Sequence, residues 1–221
     1  PISRVTESAR IADIHLPIKG GTNMVLVNAF GNVLIEEGLY NKEFVQNHTQ
    51  GFDEYKEIVK PYTAKYAEKI TGIPEELIRK AMREYAKGKK AMILYGMGVC
   101  QFGQAVDVVK GLASIALLTG NFGRESVGIG PVRGQNNVQG ACDMGALPNV
   151  YPGYQNVTDD KIREKFEKAW GVKLSPNNGY SLTQVPDLVL EEKKLKAYYI
   201  FGEDPVQSDP DASEVREALD E

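Results

Sequence analysis

One fixed cation set among amides and glycines marks the stretch of this chain best equipped for chemistry. Residues 131–148 read Pro-Val-Arg-Gly-Gln-Asn-Asn-Val-Gln-Gly-Ala-Cys-Asp-Met-Gly-Ala-Leu-Pro. Arg133, framed by Pro131 and Gly134, presents a planar guanidinium fork that matches a carboxylate through two parallel hydrogen bonds. Gln135, Asn136, Asn137 and Gln139 each carry donors and acceptors that need partners if buried. Such a run is either a solvated loop or a surface that holds a large polar ligand and a small anion. The second is favoured, because a connecting loop draws on Ser, Asp, Lys and Pro and does not need a guanidinium framed by glycines.

Other reactive residue types offer less. His15 and His48 stand alone, with no Cys or His partner at ligand spacing, and no Ser-His-Asp or Cys-His arrangement can be argued. Cys100 and Cys142 form no Cys-x-x-Cys, so a zinc or iron–sulfur site built within this chain alone is not expected. Two buried thiols are the expectation instead. Asp143 reads as a helix cap rather than a base. Met97 reads as core filling, whereas Gln101 follows a strand end directly. The Lys and Glu run at 191–196 reads as a solvated face.

The elements that position these residues follow from periodicity. Thr22 or Asn23 can cap a helix over about 24–37, stopped by Gly38. Shorter helical pieces are predicted near 42–48 and 52–60. An amphipathic helix spans about 74–87, with Pro74 at its first position and Glu75 and Glu76 at its positive end. The period then changes: 91–95, Ala-Met-Ile-Leu-Tyr, predicts a short buried strand ending at Gly96-Met97-Gly98. A helix over about 103–119 follows, with Val106, Val109, Leu112, Ala116 and Leu117 on one face. After a glycine-rich stretch to 134 and an irregular region to about 158, a helix is predicted over 159–170. A second buried strand is predicted at 197–201, Ala-Tyr-Tyr-Ile-Phe, ahead of Gly202-Glu203-Asp204-Pro205. Asp209 and Pro210 open a last helix. Residues 1–21 read as loop.

The order strand, glycine loop, helix marks α/β units with a parallel sheet. Ligands of open α/β sheets sit at the carboxyl ends of strands, which makes residues 96–101 and 202–205 candidate ligand loops by position. Neither contains a G-x-G-x-x-G or a P-loop. The 221 residues suffice for one or two domains, and the net charge of −4 argues against a nucleic-acid binder. No stretch approaches the ~18 apolar residues of a membrane span. The start at Pro1 without Met and the stop at Asp220-Glu221 inside a predicted helix suggest a piece of a longer polypeptide.

Taken together, these residues resemble the middle of the catalytic α subunit of molybdenum- or tungsten-dependent formate dehydrogenases. The resemblance runs over essentially the whole chain. It is carried by Thr6-Glu-Ser-Ala-Arg-Ile-Ala-Asp13, Lys19-Gly-Gly-Thr-Asn23, Gly96-Met-Gly-Val-Cys-Gln101, Leu117-Leu-Thr-Gly-Asn-Phe-Gly123, Val132-Arg-Gly-Gln-Asn-Asn-Val-Gln-Gly-Ala-Cys-Asp-Met-Gly145 with Pro148, and Gly202-Glu-Asp-Pro205. The stretch around Arg133 is the most specific of these.

The resemblance implies a bis(molybdopterin guanine dinucleotide) cofactor with Mo or W, formate as substrate, and two-electron oxidation to carbon dioxide. Arg133 matches the arginine that orients the formate carboxylate. Gly134 and Gln135 match positions beside the pterin, and Met97 and Gln101 match positions lining the cofactor. Thr22 and Asn23 match a segment contacting a guanosine, where the family often carries Asp in place of Asn23. Gly202, Glu203 and Asp204 match the loop near the other nucleotide. The implied fold is parallel-sheet, Rossmann-like α/β: residues 1–135 as the later part of one discontinuous domain, 136–221 as part of a second, with the change beside Arg133 at the cleft between them.

The family's [4Fe-4S] cysteines, its relay lysine, and the Cys or selenocysteine metal ligand with its neighbouring histidine would all lie upstream of Pro1. No metal ligand is therefore expected here, and the piece alone is expected to be inactive. Other parts of the same α subunit and electron-transfer subunits are the implied partners, with no nucleic acid, no membrane contact from this segment and a cytoplasmic location. Two alternatives stand beside this reading: a reductase of nitrate or another oxyanion within the same cofactor group, and a related non-catalytic electron-transfer scaffold.

Overall fold

A computed structural model describes residues 4–221, so the start of the predicted loop 1–21 lies outside the described residues. The chain divides into two compact units, Pro1–Gly134 and Gln135–Glu221. The architecture is α/β: helix-rich, with a small parallel sheet.

In the first unit the elements run α1 (Glu7–Ile11), α2 (Asn23–Glu36), α3 (Lys42–His48), α4 (Phe52–Val59), α5 (Ala64–Thr71), α6 (Glu75–Lys87), β1 (Met92–Tyr95), α7 (Met97–Cys100), α8 (Ala105–Leu118) and β2 (Gly128–Pro131). Helix α2 is apolar on nearly every side and is correspondingly central: Leu26, Val27, Ala29, Phe30, Val33 and Leu34 are all buried. It packs on α5, α6 and α8. Its contact with α8 is close because Gly111 has no side chain; a Cβ there would stand 2.5 Å from Val27 Cγ1. The βαβ order β1–α7–α8–β2 gives a parallel pair in which Met92 faces Gly128 and Tyr95 faces Pro131.

Several boundaries differ from the sequence reading. Pro74 is the N-cap of α6 rather than its first residue. Residues 7–11 of the expected loop form α1, and residues 97–100 of the expected glycine loop form the single turn α7. Strand β1 is not buried on both faces: Met92 is 53% and Leu94 65% exposed. Helix α8 buries Val108 and Ile115 beside the expected Leu112 and Ala116 but not Val106, which is 67% exposed, because α2, α3 and the strands pack on more than one of its sides.

The outer faces of α2 and α6 are tied by ions. Glu37 Oε2 accepts from Arg83 Nε at 2.7 Å, Glu37 Oε1 from Arg79 Nη1 at 3.0 Å, and Arg79 Nε donates to Glu75 Oε1 at 2.9 Å. The Arg83 hydrogen bond, outweighing partial burial and joined by Arg79, holds the Glu37 carboxyl below its ordinary value of 4.5. A carboxyl depressed on folding stabilises fully above its unfolded value and ceases to do so as pH falls through the folded one. Glu37→Gln is therefore expected to cost about 1–2 kcal/mol at pH 7. It should also flatten the fall in stability below pH 4.5, checked by denaturant titrations at pH 7 and pH 3.5.

The second unit runs α9 (Val138–Asp143), β3 (Val150–Tyr151), β4 (Gln155–Asn156), α10 (Asp160–Trp170), a 3-10 turn (Leu182–Gln184), α11 (Val185–Leu190), α12 (Pro205–Ser208) and α13 (Ala212–Asp220). Asp159 caps α10 by accepting from Lys161 and Ile162 N–H at 2.9 and 3.1 Å, as its position ahead of the apolar period suggests. Tyr151, Phe166 and Trp170 pack ring on ring, with Tyr151–Phe166 centroids 4.7 Å apart. The region expected to be irregular thus contains a helix and an antiparallel strand pair. Asp211, rather than Asp209 or Pro210, opens the last helix.

The strand expected at 197–201 is not formed, and Tyr199 and Phe201 are 87% and 86% exposed. Aromatic and β-branched residues favour a pleated surface only where a neighbouring strand takes up the backbone hydrogen bonds, and among the described residues none does. Among the described residues no helix is long and apolar enough to cross a membrane.

Candidate functional site

The carboxyl ends of β1 and β2 bring four of the expected residues into one place. The parallel register continues one step past the strands, where Val132 N–H donates to Tyr95 O at 2.7 Å. Beyond that bond the two chains diverge: β1 runs through Gly96 into α7, carrying Met97 and Gln101, and β2 runs into Arg133 and Gly134. The mouth is tight on the backbone side. A Cβ on Gly96 would stand 3.2 Å from Val132 O, and one on Gly134 would stand 2.6 Å from Met97 Cε. Arg133 is exposed, two residues beyond the end of β2. It is also the one charged residue in the segments 96–104 and 131–134.

A second pair joins this mouth from α2. Asn23 Nδ2 donates to Gly98 O at 3.3 Å, which fastens the start of α2 to the α7 turn. Thr22 occupies the N-cap position, but its hydroxyl donates to Lys19 O at 2.8 Å and makes no capping bond. Helix α8 likewise begins without a side-chain cap. The starts of α2 and α8 share a pocket of about 270 Å³ lined by Gly21, Asn23, Met24, Phe102, Gly103, Gln104 and Val108. First-turn N–H groups of two 14-residue helices there lack intrahelical partners and favour an anion.

The amides after Arg133 divide into two uses. Asn137, at φ 53°, caps α9 by accepting from Gly140 N–H at 3.2 Å, and Gln139 donates to Asp143 Oδ1 at 2.8 Å and to Tyr154 Oη at 3.2 Å. Those two serve the fold. Asp143 closes α9 rather than capping its start. Gln135 and Asn136 stay exposed.

Gln135, Gly202, Glu203 and Asp204 belong to the second unit. Gly202 takes a left-handed φ of 71°, Glu203 Oε1 accepts from Ser208, and Asp204 Oδ2 accepts from Gln207 Nε2 at 3.0 Å. Among the described residues no hydrogen bond links that loop to Gln135. A cavity of about 500 Å³ is also in this unit, but none of the expected residues lines it. Its walls combine the apolar Leu182, Val185, Val189 and Leu195 with Lys193, which is paired to Glu221 at 3.0 Å, and none of the site residues singled out in the sequence reaches it, so the strand mouth is the better candidate.

Sequence reasoning missed Phe102, Gly103 and Gln104 as pocket walls; only their place just before an apolar helical period pointed to them. It also missed Asn121 and Arg124, which fix the other end of β1. The expected burial of both cysteines holds for Cys142 but not for Cys100, which is exposed after the α7 turn; the two form no disulfide.

Comparison with known proteins adds an independent line. The molybdopterin oxidoreductase family profile matches residues 2–221. Formate dehydrogenase H of Escherichia coli K12 is 53% identical over 219 residues, which is 99% of this chain and 30% of that protein. The F420-dependent formate dehydrogenase subunit alpha of Methanocaldococcus jannaschii is 50% identical over 98% of this chain and 32% of its own length. Among solved structures, acetylene hydratase from Pelobacter acetylenicus superposes with a TM-score of 0.55 and 33% identity over 57% of this chain and 17% of that one. The chain spans about a third of the length of the curated relatives it matches.

Proposed function

The chain belongs to the molybdopterin oxidoreductase family, and on that premise we infer that it is the central piece of a formate dehydrogenase catalytic subunit. In this reading it holds part of a bis(molybdopterin guanine dinucleotide) carrying Mo or W, and Arg133 orients formate. The observation that carries the reading is Arg133 itself: an exposed guanidinium two residues past the carboxyl end of a strand in a parallel pair. A nitrate or other oxyanion reductase, and a non-catalytic scaffold, find no such specific support beside relatives named as formate dehydrogenases at 53% and 50% identity.

The residues present fit such a group. A large polar ligand with a diphosphate needs space, neutral donors and anion-stabilising N–H groups. A Cβ at Gly98 or Gly103 would meet nothing within 4 Å, Gln101 is an exposed amide, and two uncapped helix starts open onto one pocket. Thr22, Asn23, Met97, Gln101 and Gly134 of the first unit would hold it. In the second unit, Gln135, Gly202, Glu203 and Asp204 are proposed as cofactor contacts on the resemblance alone. In this reading the Cys or selenocysteine ligand to the metal lies in another part of the polypeptide, as the resemblance implies.

When bound, the pterin-held metal supplies the two-electron redox chemistry. Arg133 binds the formate carboxylate through its fork, fixes its direction and stabilises its charge; it transfers no proton. In this reading an iron–sulfur cluster and partner subunits outside this piece would carry the electrons away. The test is the full-length enzyme assayed with formate and an artificial electron acceptor, beside nitrate and a reduced dye. Formate oxidation without nitrate reduction supports the reading, and nitrate reduction without formate oxidation, or no turnover in metal-loaded protein, overturns it.

A further inference from the structure

The geometry points to Met97 as a positioning residue for Arg133, an assignment that rests on reading Arg133 as the formate-binding cation. Arg133 lies in an exposed segment, and both of its chain neighbours are held. On one side Val132 N–H donates to Tyr95 O at 2.7 Å. On the other, the Met97 thioether lies against the bare Cα of Gly134: a Cβ there would stand 2.6 Å from Cε and 3.3 Å from Sδ. The thioether is held in turn, because Gln101 Nε2 donates to Met97 Sδ at 3.7 Å while Gln101 N–H donates to Met97 O at 2.9 Å. The α7 turn therefore acts as a clamp, with Gln101 as its brace and Met97 as its jaw.

The chemistry of the jaw suits the task. Methionine is unbranched and polarisable, so its thioether can lie flat along a glycine. Met97 remains 42% exposed, so its place is not set by burial in a core. Pinning residues 132 and 134 narrows the directions the guanidinium between them can take. Orientation of a bound reactant is sensitive to displacements of about 1 Å. The same contact gives position 134 its requirement for glycine.

The experiment uses the full-length, cofactor-loaded enzyme, with rates normalised to bound metal. Met97→Ala, Met97→Leu, Gly134→Ala, the double variant Met97→Ala/Gly134→Ala and Arg133→Ala are compared by formate kinetics and by amide hydrogen exchange at 132–134. Met97→Ala is expected to raise KM about tenfold with kcat within about threefold, the pattern of lost ground-state orientation. Exchange at 132–134 is expected to speed roughly tenfold, and Met97→Leu to restore most of both. Gly134→Ala alone should be as damaging, while the double variant should resemble Met97→Ala, because the obstructing methyl is gone. Wild-type KM and exchange in Met97→Ala, or independent effects of the two substitutions, would overturn the clamp. If Arg133→Ala raises KM and Met97→Ala does not, the Met97 role alone falls. If Arg133→Ala leaves kcat/KM unchanged, the reading of Arg133 fails and the positioning role with it.

Discussion

Arg133→Ala in the full-length enzyme is expected to lower kcat/KM for formate by roughly 100- to 1,000-fold, the range seen when one preorganised charge-stabilising donor is removed. The argument is electrostatic and geometric. Formate is a one-carbon anion with almost no apolar surface, so burial contributes little to holding it. A paired, charge-assisted contact must then supply most of its orientation. At the mouth of β1 and β2 the neighbouring loops are neutral, and no second cation in 96–104 or 131–134 can substitute. Arg133→Lys keeps the charge but loses the planar fork, so an intermediate loss of about 10- to 100-fold is expected. Steady-state kinetics on metal-normalised enzyme separates the three cases. A wild-type kcat/KM in Arg133→Ala would leave the assigned role without support.

Asn121→Ala carries the second largest effect, at the opposite end of the same strand. Asn121 is 1% exposed and sits just past α8. Its Oδ1 accepts from Ala91 N–H at 3.1 Å and from Arg124 Nη2 at 3.1 Å, and its Nδ2 donates to Thr119 Oγ1 at 3.0 Å. Arg124 extends the knot to Lys89 O at 2.8 Å. One amide thus ties the entry of β1 to the end of the helix that connects β1 to β2. Truncation leaves several of these groups without partners and opens a small void. A loss of about 2–4 kcal/mol is expected, read from the denaturant midpoint at an unchanged slope. A loss below about 0.5 kcal/mol would show that the knot is replaceable by solvent.

Helices with explicit end signals were legible before any coordinates. Glu75 and Glu76 after Pro74 announce α6, and Asp159 announces α10. Helix α5 carries comparable signals, a capping Thr63 and a left-handed Gly72, but its buried positions are Ala64, Ala67 and Thr71, too small and polar to register as an apolar stripe. At 197–201 the error ran the other way: strong strand-forming residues met no neighbour to pair with. Arg133 and Gln101 stood out locally, by residue type and by place after a strand, whereas Met97 read locally as core filling and is instead 42% exposed. What brings Met97 onto Gly134 and Asn23 onto Gly98 is the crossover of β1–α7–α8–β2 and the docking of α2, contacts far apart in sequence that periodicity does not encode.

The account stands on where a small carboxylate binds. The most direct measurement is a crystal structure of the full-length, cofactor-loaded enzyme with formate bound. The predicted result places the formate oxygens about 2.8 Å from the Arg133 guanidinium, at the carboxyl ends of β1 and β2. Formate bound elsewhere, with Arg133 paired to an acidic side chain, would contradict it.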